Sequence, residues 1–298
     1  LIGRGAMGDV FLVDGLDDSG RATGERFALK ALRARPREHG DDVARRERQL
    51  CTEAAIALTC GKHANTTAVR RILVPSDGSG DGAGAGPAAS SELLVLSDYC
   101  AGGSLAHAIR SRAVYEGEAR AVAARLRDVI GQLYEGLQHI HRCGCLHQDL
   151  KPDNLVIDLA VAGARLRIGD FGLSRFARRI AADPFTGVPC VDSRGAPALL
   201  AATWEGGTPL YFSPEQTRLR AALLDAARSE YGGASTCALA TAPAASAAPA
   251  LEPAAAGGLR PRDGELHVMT PASSDLWQAA LVVAELLGEG ARWRAGAP

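Results

Sequence analysis

Four polar residues have the types and the spacing that phosphoryl transfer needs. Asp149, Lys151 and Asn154 share one short stretch, and Asp170 follows sixteen residues after Asn154. A protein catalyses this reaction mainly by aligning the acceptor hydroxyl, holding Mg²⁺ on the phosphates and neutralising charge. One carboxylate cannot hold the acceptor and bind the metal at once. We therefore expect Asp149 to take the hydroxyl proton, and Asn154 and Asp170 to bind Mg²⁺ through oxygen atoms.

A glycine-rich run at the start of the chain is a candidate site for the phosphates. Gly3, Gly5 and Gly8 have the spacing G-x-G-x-x-G. Glycines lack a Cβ atom, so their N–H groups can approach a polyphosphate closely. The same run opens dinucleotide-binding folds, where it leads into a helix, or marks a plain turn. Residues 9–13 instead have a strand composition and precede a turn at 14–24, which predicts two strands joined by a glycine-rich turn.

A lysine and a glutamate further along the chain are candidates for an ion pair beside the phosphates. Lys30 lies near the end of the next predicted strand, and residues 41–60 have helical periodicity. Two glutamates of that helix compete for Lys30. Glu47 lies among arginines, whereas Glu53 borders the apolar stripe that would pack inward. We therefore choose Glu53, with Glu47 as the alternative.

Taken together and in this order, the motifs resemble those of eukaryotic protein kinases. Residues 147–154 (HQDLKPDN) are similar to the catalytic loop H-R-D-x-x-x-x-N, and residues 170–172 are similar to the metal-binding D-F-G. The resemblance implies an α+β, bilobal fold, with a β-rich N-lobe and a mainly helical C-lobe. It also implies transfer of the γ-phosphoryl group of ATP, with Mg²⁺, to proteins. Lys151 and the segment 207–215 (GTPLYFSPE) are typical of members that act on Ser/Thr hydroxyls.

The resemblance also implies roles for individual residues. The catalytic set is Asp149, Lys151, Lys30 and Glu53, and the metal ligands are Asn154 and Asp170. The nucleotide-binding set is Gly3, Gly5, Gly8, Val10, Ala28, Lys30, Asp98, Cys100 and Val156. Within that set, the backbone around Asp98 and Cys100 would pair with the edge of adenine, and Ser97 would be a small gatekeeper residue behind it.

Domain boundaries follow from the same resemblance. The N-lobe is assigned to residues 1–97, the hinge to 98–103 and a partial C-lobe to 104–298. Residues 76–91 have the composition of a flexible loop, and residues 219–260 are an Ala-dominated, low-complexity stretch that we interpret as an insertion. The chain ends soon after a helix predicted over residues 274–287, so we expect the C-lobe to be truncated.

Two positions near the catalytic stretch lead to specific expectations. Gln148 stands where the family usually has Arg, which pairs with a phosphorylated residue of the activation segment, here residues 173–205. A neutral Gln cannot make that charge-assisted contact, so we expect activity without phosphorylation of the segment. Ser274 or Asp275 would cap the helix at 274–287. In the family, the residue equivalent to Asp275 supports the catalytic-loop backbone.

Composition limits the remaining choices. The net charge of −1 gives no electrostatic case for nucleic acid or an anionic membrane, and no run reaches the about 18 apolar residues of a membrane helix. Seven irregularly spaced cysteines favour reduced thiols in an intracellular protein, cytoplasmic or nuclear. The alternating His/Cys run at 139–147 lacks the tight pairs typical of structural zinc, so we interpret His147 as a packed core residue. The expected partners are protein substrates with Ser/Thr acceptors.

Two other functions are compatible with the motifs. The first is a nucleotide-binding pseudokinase that acts as a scaffold or allosteric module, which the substitution at Gln148 and the insertion leave open. The second is a small-molecule phosphotransferase of related fold. The segment 207–215 shapes a peptide-binding platform in protein kinases, and its presence argues against that second alternative.

Overall fold

The chain folds into a small β-sheet unit followed by a mainly helical unit. The computed structural model describes residues 1–4, 8–32, 40–73, 94–160, 163–185, 187–204, 206–230 and 268–288. Some of the sequence predictions lie outside these residues, namely Gly5, the flexible loop at 76–91 and the part of the insertion after Glu230.

The first unit is an antiparallel sheet of five strands in the order β1-β2-β3-β5-β4. The strands are β1 (Gly3–Arg4), β2 (Gly8–Leu16), β3 (Ala22–Leu32), β4 (Val69–Leu73) and β5 (Leu94–Asp98). Strands β1 and β2 therefore include the two ends of the glycine-rich run, as predicted, and the chain continues directly into β2 and not into a helix. The hairpin between β2 and β3 turns at Asp17, whose Oδ1 accepts hydrogen bonds from the backbone N–H groups of Ser19 and Arg21.

A single long helix, α1 (Gly40–Cys60), joins the two units. Leu50 and Ala54 on its inner face pack against Val95 of the sheet. One and a half turns later, Ile56 and Cys60 enter the core of the helical unit. Because one rigid helix contacts both cores, it fixes where its own polar residues stand relative to the second unit.

The second unit is built around the buried stripe of helix α3. Its helices are α2 (Leu105–Arg110), α3 (Ala119–Arg142), α4 (Pro214–Glu230) and α5 (Ser273–Leu286). Val129, Leu133, Leu137 and Ile140 of α3 are almost fully buried, at the i, i+4, i+8 and i+11 positions of one helix face. They share a core with the hairpin of β7 (Leu155–Asp158) and β8 (Arg165–Ile168). Each such side chain contributes about 1.5–3 kcal/mol on burial.

The segment after residue 172 is more regular than the sequence indicated. Its first strand, β9 (Arg175–Phe176), pairs with β6 (Cys145–Leu146) just before the catalytic loop. A second sheet follows, with β10 (Arg178–Ile180), β11 (Leu199–Trp204) and β12 (Val268–Pro271) in that order. Helix α4 continues to Glu230, so the first part of the low-complexity stretch at 219–260 is helical.

Helix α5 corrects one expectation. It starts one residue before the predicted start, and Ala272 occupies the N-cap without any side-chain cap bond. The prediction that Ser274 or Asp275 caps the helix is therefore wrong. Asp275 is 1% exposed and its carboxylate is taken up by the catalytic loop instead. No helix within the described ranges is long and apolar enough to cross a membrane.

Candidate active site

The backbone of the catalytic loop is held by a buried carboxylate of helix α5, that of Asp275. Asp275 Oδ1 accepts the backbone N–H of Gln148 at 2.7 Å, and Oδ2 accepts that of His147 at 2.8 Å. His141 Nε2 also contacts Oδ2, at 2.9 Å. Gln148 has φ +66°, a left-handed conformation that costs a non-glycine residue on the order of 1–2 kcal/mol. The two bonds to Asp275 stabilise that turn, which directs the next residue towards the cleft.

A glutamine three residues further along α5 holds the same loop. Gln278 Oε1 accepts the backbone N–H of Leu150 at 2.8 Å, and its Nε2 donates to the carbonyl of Gln148 at 3.1 Å. Its side chain is fully buried. Asp275 and Gln278 lie on one face of the helix, as residues at i and i+3 do. Gln278 was not among the predicted site residues, although a polar residue that precedes the apolar run at 279–284 was a signal.

Asp149 lies between these anchors and is surrounded by donors. Its Oδ2 accepts from Lys151 Nζ at 2.7 Å and from Asn154 Nδ2 at 2.9 Å. Its Oδ1 accepts from the backbone N–H of Thr208 at 3.0 Å and from its Oγ1 at 2.8 Å. Lys151 Nζ also donates to Thr208 Oγ1 at 2.8 Å. The carboxylate is thus fixed in direction by groups from two distant segments.

A second charged cluster joins the two units. Lys30 Nζ lies 2.7 Å from both carboxylate oxygens of Glu53 and 3.5 Å from Asp170 Oδ1. Burial opposes the ammonium charge, but Glu53 and Asp170 outweigh it and raise the pKa of Lys30 above its ordinary value. Although the cleft partly desolvates Asp170, the charge of Lys30 lowers the pKa of that carboxyl. Lys30 is therefore bound by Glu53, the glutamate chosen from the sequence, and not by the alternative Glu47.

Neighbouring contacts fix the turn that carries Asp170. Gln49 of α1 donates from Nε2 to the carbonyl of Gly172 at 2.9 Å. Phe171 is buried and belongs to the main core. His147, fully buried as expected, contacts the carbonyl of Gly169 through Nε2 at 3.0 Å, so this nitrogen is the donor. The position of Asp170 thus depends on α1, the catalytic loop and the core together.

The predicted metal ligands fit a hard cation. Asn154 Nδ2 donates hydrogen bonds to the carbonyl and to the carboxylate of Asp149, at 2.8 and 2.9 Å. Its Oδ1 has no hydrogen-bond donor among the described residues and is oriented by those two bonds. The Asp170 side chain is 52% exposed and ionised, as a ligand must be. Two oxygen donors suit Mg²⁺, which binds few protein ligands and shares the phosphates of a substrate.

The predicted nucleotide-binding residues surround the junction of the two units. Gly3 pairs with Val10 across β1 and β2, and Gly8 starts β2. Ala28 pairs with Ser97, whose Oγ donates to the Ala28 carbonyl at 3.4 Å. Asp98 forms an ion pair with Arg70 through its side chain, and its backbone N–H donates to the carbonyl of Ala68 at 3.0 Å.

The connection between the units packs closely on the helical unit. Val156 forms a bridge with Ser104 directly after the connection, and a Cβ atom at Gly102 would lie 1.9 Å from the Ile157 carbonyl. Only glycine fits there. Cys100 is half-buried, and its Sγ accepts a hydrogen bond from Arg167 at 3.3 Å.

The His/Cys run does not form a metal site in the described part of the chain. No group of three or more His, Cys, Asp or Glu side chains there could hold a metal ion. His139 Nε2 donates to the carbonyl of Cys60 at 2.6 Å and its ring stacks on His63. The hydrogen bond that the Cys60 thiol donates to Cys145, together with burial, raises the pKa of Cys60. All six described cysteines are free thiols.

Gln148 contacts the activation segment through a neutral bond. Its Nε2 donates to the carbonyl of Thr203 in β11 at 2.9 Å, and Thr270 Oγ1 of β12 lies 3.5 Å away. Its side chain is 1% exposed. A side chain that is buried and already bonded to the backbone of the segment has no surface to offer a phosphate.

Comparison with known proteins identifies the family. The model of the protein kinase domain matches residues 1–224. The chain belongs to the protein kinase family. Its α+β, bilobal fold class is that of the family, as predicted.

Curated relatives agree with this assignment. CBL-interacting serine/threonine-protein kinase 26 of Arabidopsis thaliana is 27% identical over 65% of the chain, and calcium-dependent protein kinase 1 of Oryza sativa subsp. japonica is 31% identical over 59%. Serine/threonine-protein kinase pkn3 of Myxococcus xanthus is 29% identical over 73%. The matched regions cover 34%, 28% and 32% of those relatives. The chain therefore spans about a third of their length.

The ion pair of Lys30 leads to a test with a matched control. Glu53→Gln removes the charge that orients Lys30, and we expect kcat/KM for ATP to fall about 10²-fold, as for other misplaced catalytic groups. Glu47→Gln removes the same charge from the same helix and should change kcat/KM less than about twofold. Steady-state kinetics of both variants measure the loss of activity, and their melting temperatures show whether either variant is unfolded. Equal losses in the two variants would contradict the assignment of Glu53.

The bond of Gln148 leads to a test of phosphorylation dependence. Because the segment is held by a neutral hydrogen bond, phosphatase treatment should leave turnover within about twofold of mock-treated protein. Mass spectrometry should verify that no residue of the segment 173–205 carries phosphate after treatment. Loss of turnover that returns on rephosphorylation would show that a charged anchor acts elsewhere in the segment.

Proposed function

We propose that this chain is an ATP-dependent protein kinase that transfers the γ-phosphoryl group to Ser/Thr hydroxyls. The observation that carries the proposal is the Asp149 carboxylate, which four hydrogen bonds from Lys151, Asn154 and Thr208 hold in one direction. In the second cluster, Glu53 and Asp170 hold Lys30, whose positive charge would face the triphosphate. Family membership and the names of the relatives support the same reaction.

The mechanism follows from what each side chain can do. Asp149 accepts a hydrogen bond from the substrate hydroxyl, orients its oxygen for attack and takes its proton as the new P–O bond forms. Lys151, bonded to the same carboxylate, screens the charge that develops on the transferred group. Lys30, oriented by Glu53, neutralises the phosphates.

Asn154 Oδ1 and the Asp170 carboxylate would hold Mg²⁺. When bound, this ion neutralises phosphate charge and favours departure of the leaving group. Glycines Gly3, Gly5 and Gly8 with Val10 would cover the phosphates, and Ala28, Val156 and the backbone at Asp98 and Cys100 would enclose the adenine. The residue types support these roles, as does the position of all of them but Gly5 around the junction of the two units.

The choice of acceptor rests on one contact. Thr208 and Lys151 meet at Asp149, and both belong to motifs that resemble those of Ser/Thr-directed kinases. Together they bond both oxygens of the carboxylate that would receive the proton of the hydroxyl. We further propose protein substrates and an intracellular site of action, cytoplasmic or nuclear, which the free thiols support.

A scaffold without turnover is the less favoured function. A pseudokinase is expected to lack at least one part of the catalytic set, whereas Lys30, Asp149, Asn154 and Asp170 are all present. Lys30 pairs with Asp170, and Asn154 is bonded to Asp149. The neutral residue at Gln148 does not disturb them, since its side chain turns away to the carbonyl of Thr203.

The proposed base gives the decisive test. Asp149→Asn should lower kcat by about 10²–10⁴-fold, because the amide cannot accept the hydroxyl proton, while nucleotide still binds. Radiolabel transfer from Mg-ATP to a generic basic protein measures turnover, and the thermal shift with Mg-ATP measures binding. Asp153→Asn, an exposed Asp of the same loop, is the control and should keep full activity. If wild-type protein binds Mg-ATP and never transfers phosphate, the pseudokinase alternative replaces this proposal.

A further inference from the structure

A positively charged pocket lies beside the hinge. Its volume is about 230 Å³. We call it the arginine pocket; the residues that define it are Arg26, Tyr99, Cys100, Asp158, Arg165 and Arg167. It is therefore built from β3, the hinge and the hairpin of β7 and β8. None of these residues belongs to the cluster around Asp149 or to that around Lys30.

The arginine pocket has an excess of positive charge. Three guanidinium groups line it against one carboxylate, Asp158. None of the three forms an ion pair with a carboxylate of the described residues, whereas Arg70 nearby in the same sheet is paired with Asp98. A local excess of two charges in a chain of net charge −1 favours a dianion.

Two of the three guanidinium groups, those of Arg26 and Arg167, are held in place before any ligand arrives. Arg26 lies over the ring of Tyr99, with Cζ 5.2 Å from the ring centroid. Arg167 donates to Cys100 Sγ at 3.3 Å. Arg165 is two residues from Arg167 on β8, so both point to the same face of the hairpin. Side chains that are already ordered lose little entropy when they bind.

We propose that the arginine pocket binds the phosphorylated side chain of a polypeptide. A phosphoryl group carries nearly two negative charges and three acceptor oxygens, and arginine forks match its geometry with paired hydrogen bonds. The volume of the pocket is sufficient for one such group. Arg26 and Arg165 are exposed, so a side chain on another chain can reach it. Bound beside the hinge, the partner would stand outside the catalytic cleft.

Fluorescence anisotropy on the full chain tests this site. The probe is a labelled peptide with one phosphoserine among neutral residues, and the same peptide without phosphate is the reference. We expect binding of the phosphopeptide alone, weakened by salt and by millimolar inorganic phosphate. Arg165→Ala/Arg167→Ala should weaken it at least tenfold. Arg120→Ala/Arg127→Ala removes two exposed arginines from α3 and should change it less than twofold.

Three outcomes would overturn the proposal. The first is no binding of the phosphopeptide, and the second is equal binding by the two double variants. The third is displacement of the phosphopeptide by Mg-ATP at saturation, because the anion site would then be part of the nucleotide site. Should the Arg165/Arg167 variant fail to fold, Arg26→Ala, which leaves the hairpin of β7 and β8 intact, provides the same comparison.

A different observation carries a second inference, which rests on the proposed function. We infer that Gln278 is a positioning residue for Asp149. Its amide bonds the carbonyl of the residue before Asp149 and the N–H of the residue after it. Asp275 holds only the first part of the loop. Without Gln278, the peptide groups around Asp149 would lose their buried partners and the carboxylate could rotate away from the acceptor.

The chain contains a close match for the control. Gln132 accepts the backbone N–H of Leu166 at 2.8 Å and donates to the Ala164 carbonyl at 3.1 Å. It makes the same two kinds of bond as Gln278, but to β8 and not to the catalytic loop. Gln278→Met and Gln132→Met each replace such an amide with an apolar chain of similar length. A purely structural role would therefore affect both variants alike.

Kinetics and hydrogen exchange together decide this second inference. Gln278→Met should lower kcat at least tenfold with little change in KM for ATP, and should speed exchange of the Leu150 amide. Gln132→Met should lower the melting temperature without changing kcat. Unchanged kcat and unchanged protection of Leu150 in Gln278→Met would overturn the inference. If wild-type protein has no turnover, the proposed function fails separately, and the Leu150 amide still reports on Gln278.

Discussion

The site depends on one buried interaction, the carboxylate of Asp275 beneath the catalytic loop. Two successive backbone N–H groups converge on it, and helix α5 carries it into a fully packed core. A buried carboxylate is costly unless every lone pair finds a donor, and here the loop supplies the donors. The left-handed turn at Gln148 is the consequence, and the direction of Asp149 follows from that turn. Gln278 secures the far side of the same turn.

The second organising feature is the way one helix serves both units. Helix α1 packs on the sheet through Leu50 and on the helical core through Ile56, with Glu53 between them. Glu53 is thereby placed against Lys30, while Gln49 one turn earlier holds the carbonyl of Gly172. A rotation of α1 would break the ion pair and release the turn at Asp170 together. Charge and packing are therefore coupled at the junction of the two units.

The activation segment is anchored by backbone pairing. Its strand β11 lies between β10 and β12, and β12 belongs to the chain beyond residue 267. Gln148 and Thr270 meet at this sheet, both buried and both neutral. A sheet contact of this kind does not depend on a phosphate. A neutral residue at position 148 is therefore compatible with an ordered activation segment. The sheet also links the residues after the insertion to those at the catalytic loop.

Local patterns in the sequence determined the family and predicted helices α1 and α5. They also predicted Asp149, Lys30 and Asp170 as site residues. The apolar stripe of α1 was enough to choose Glu53 over Glu47, since helical spacing decides which face turns inward. The resemblance already implied that Asp275 supports the catalytic loop. Only the tertiary structure decided that Asp275 does not cap its helix and that Gln278 spans Asp149. These bonds join residues about 130 positions apart and leave no period in the sequence. A periodic pattern shows which face of a helix or strand is buried. The partner of a buried polar group depends on which elements pack together in the folded protein.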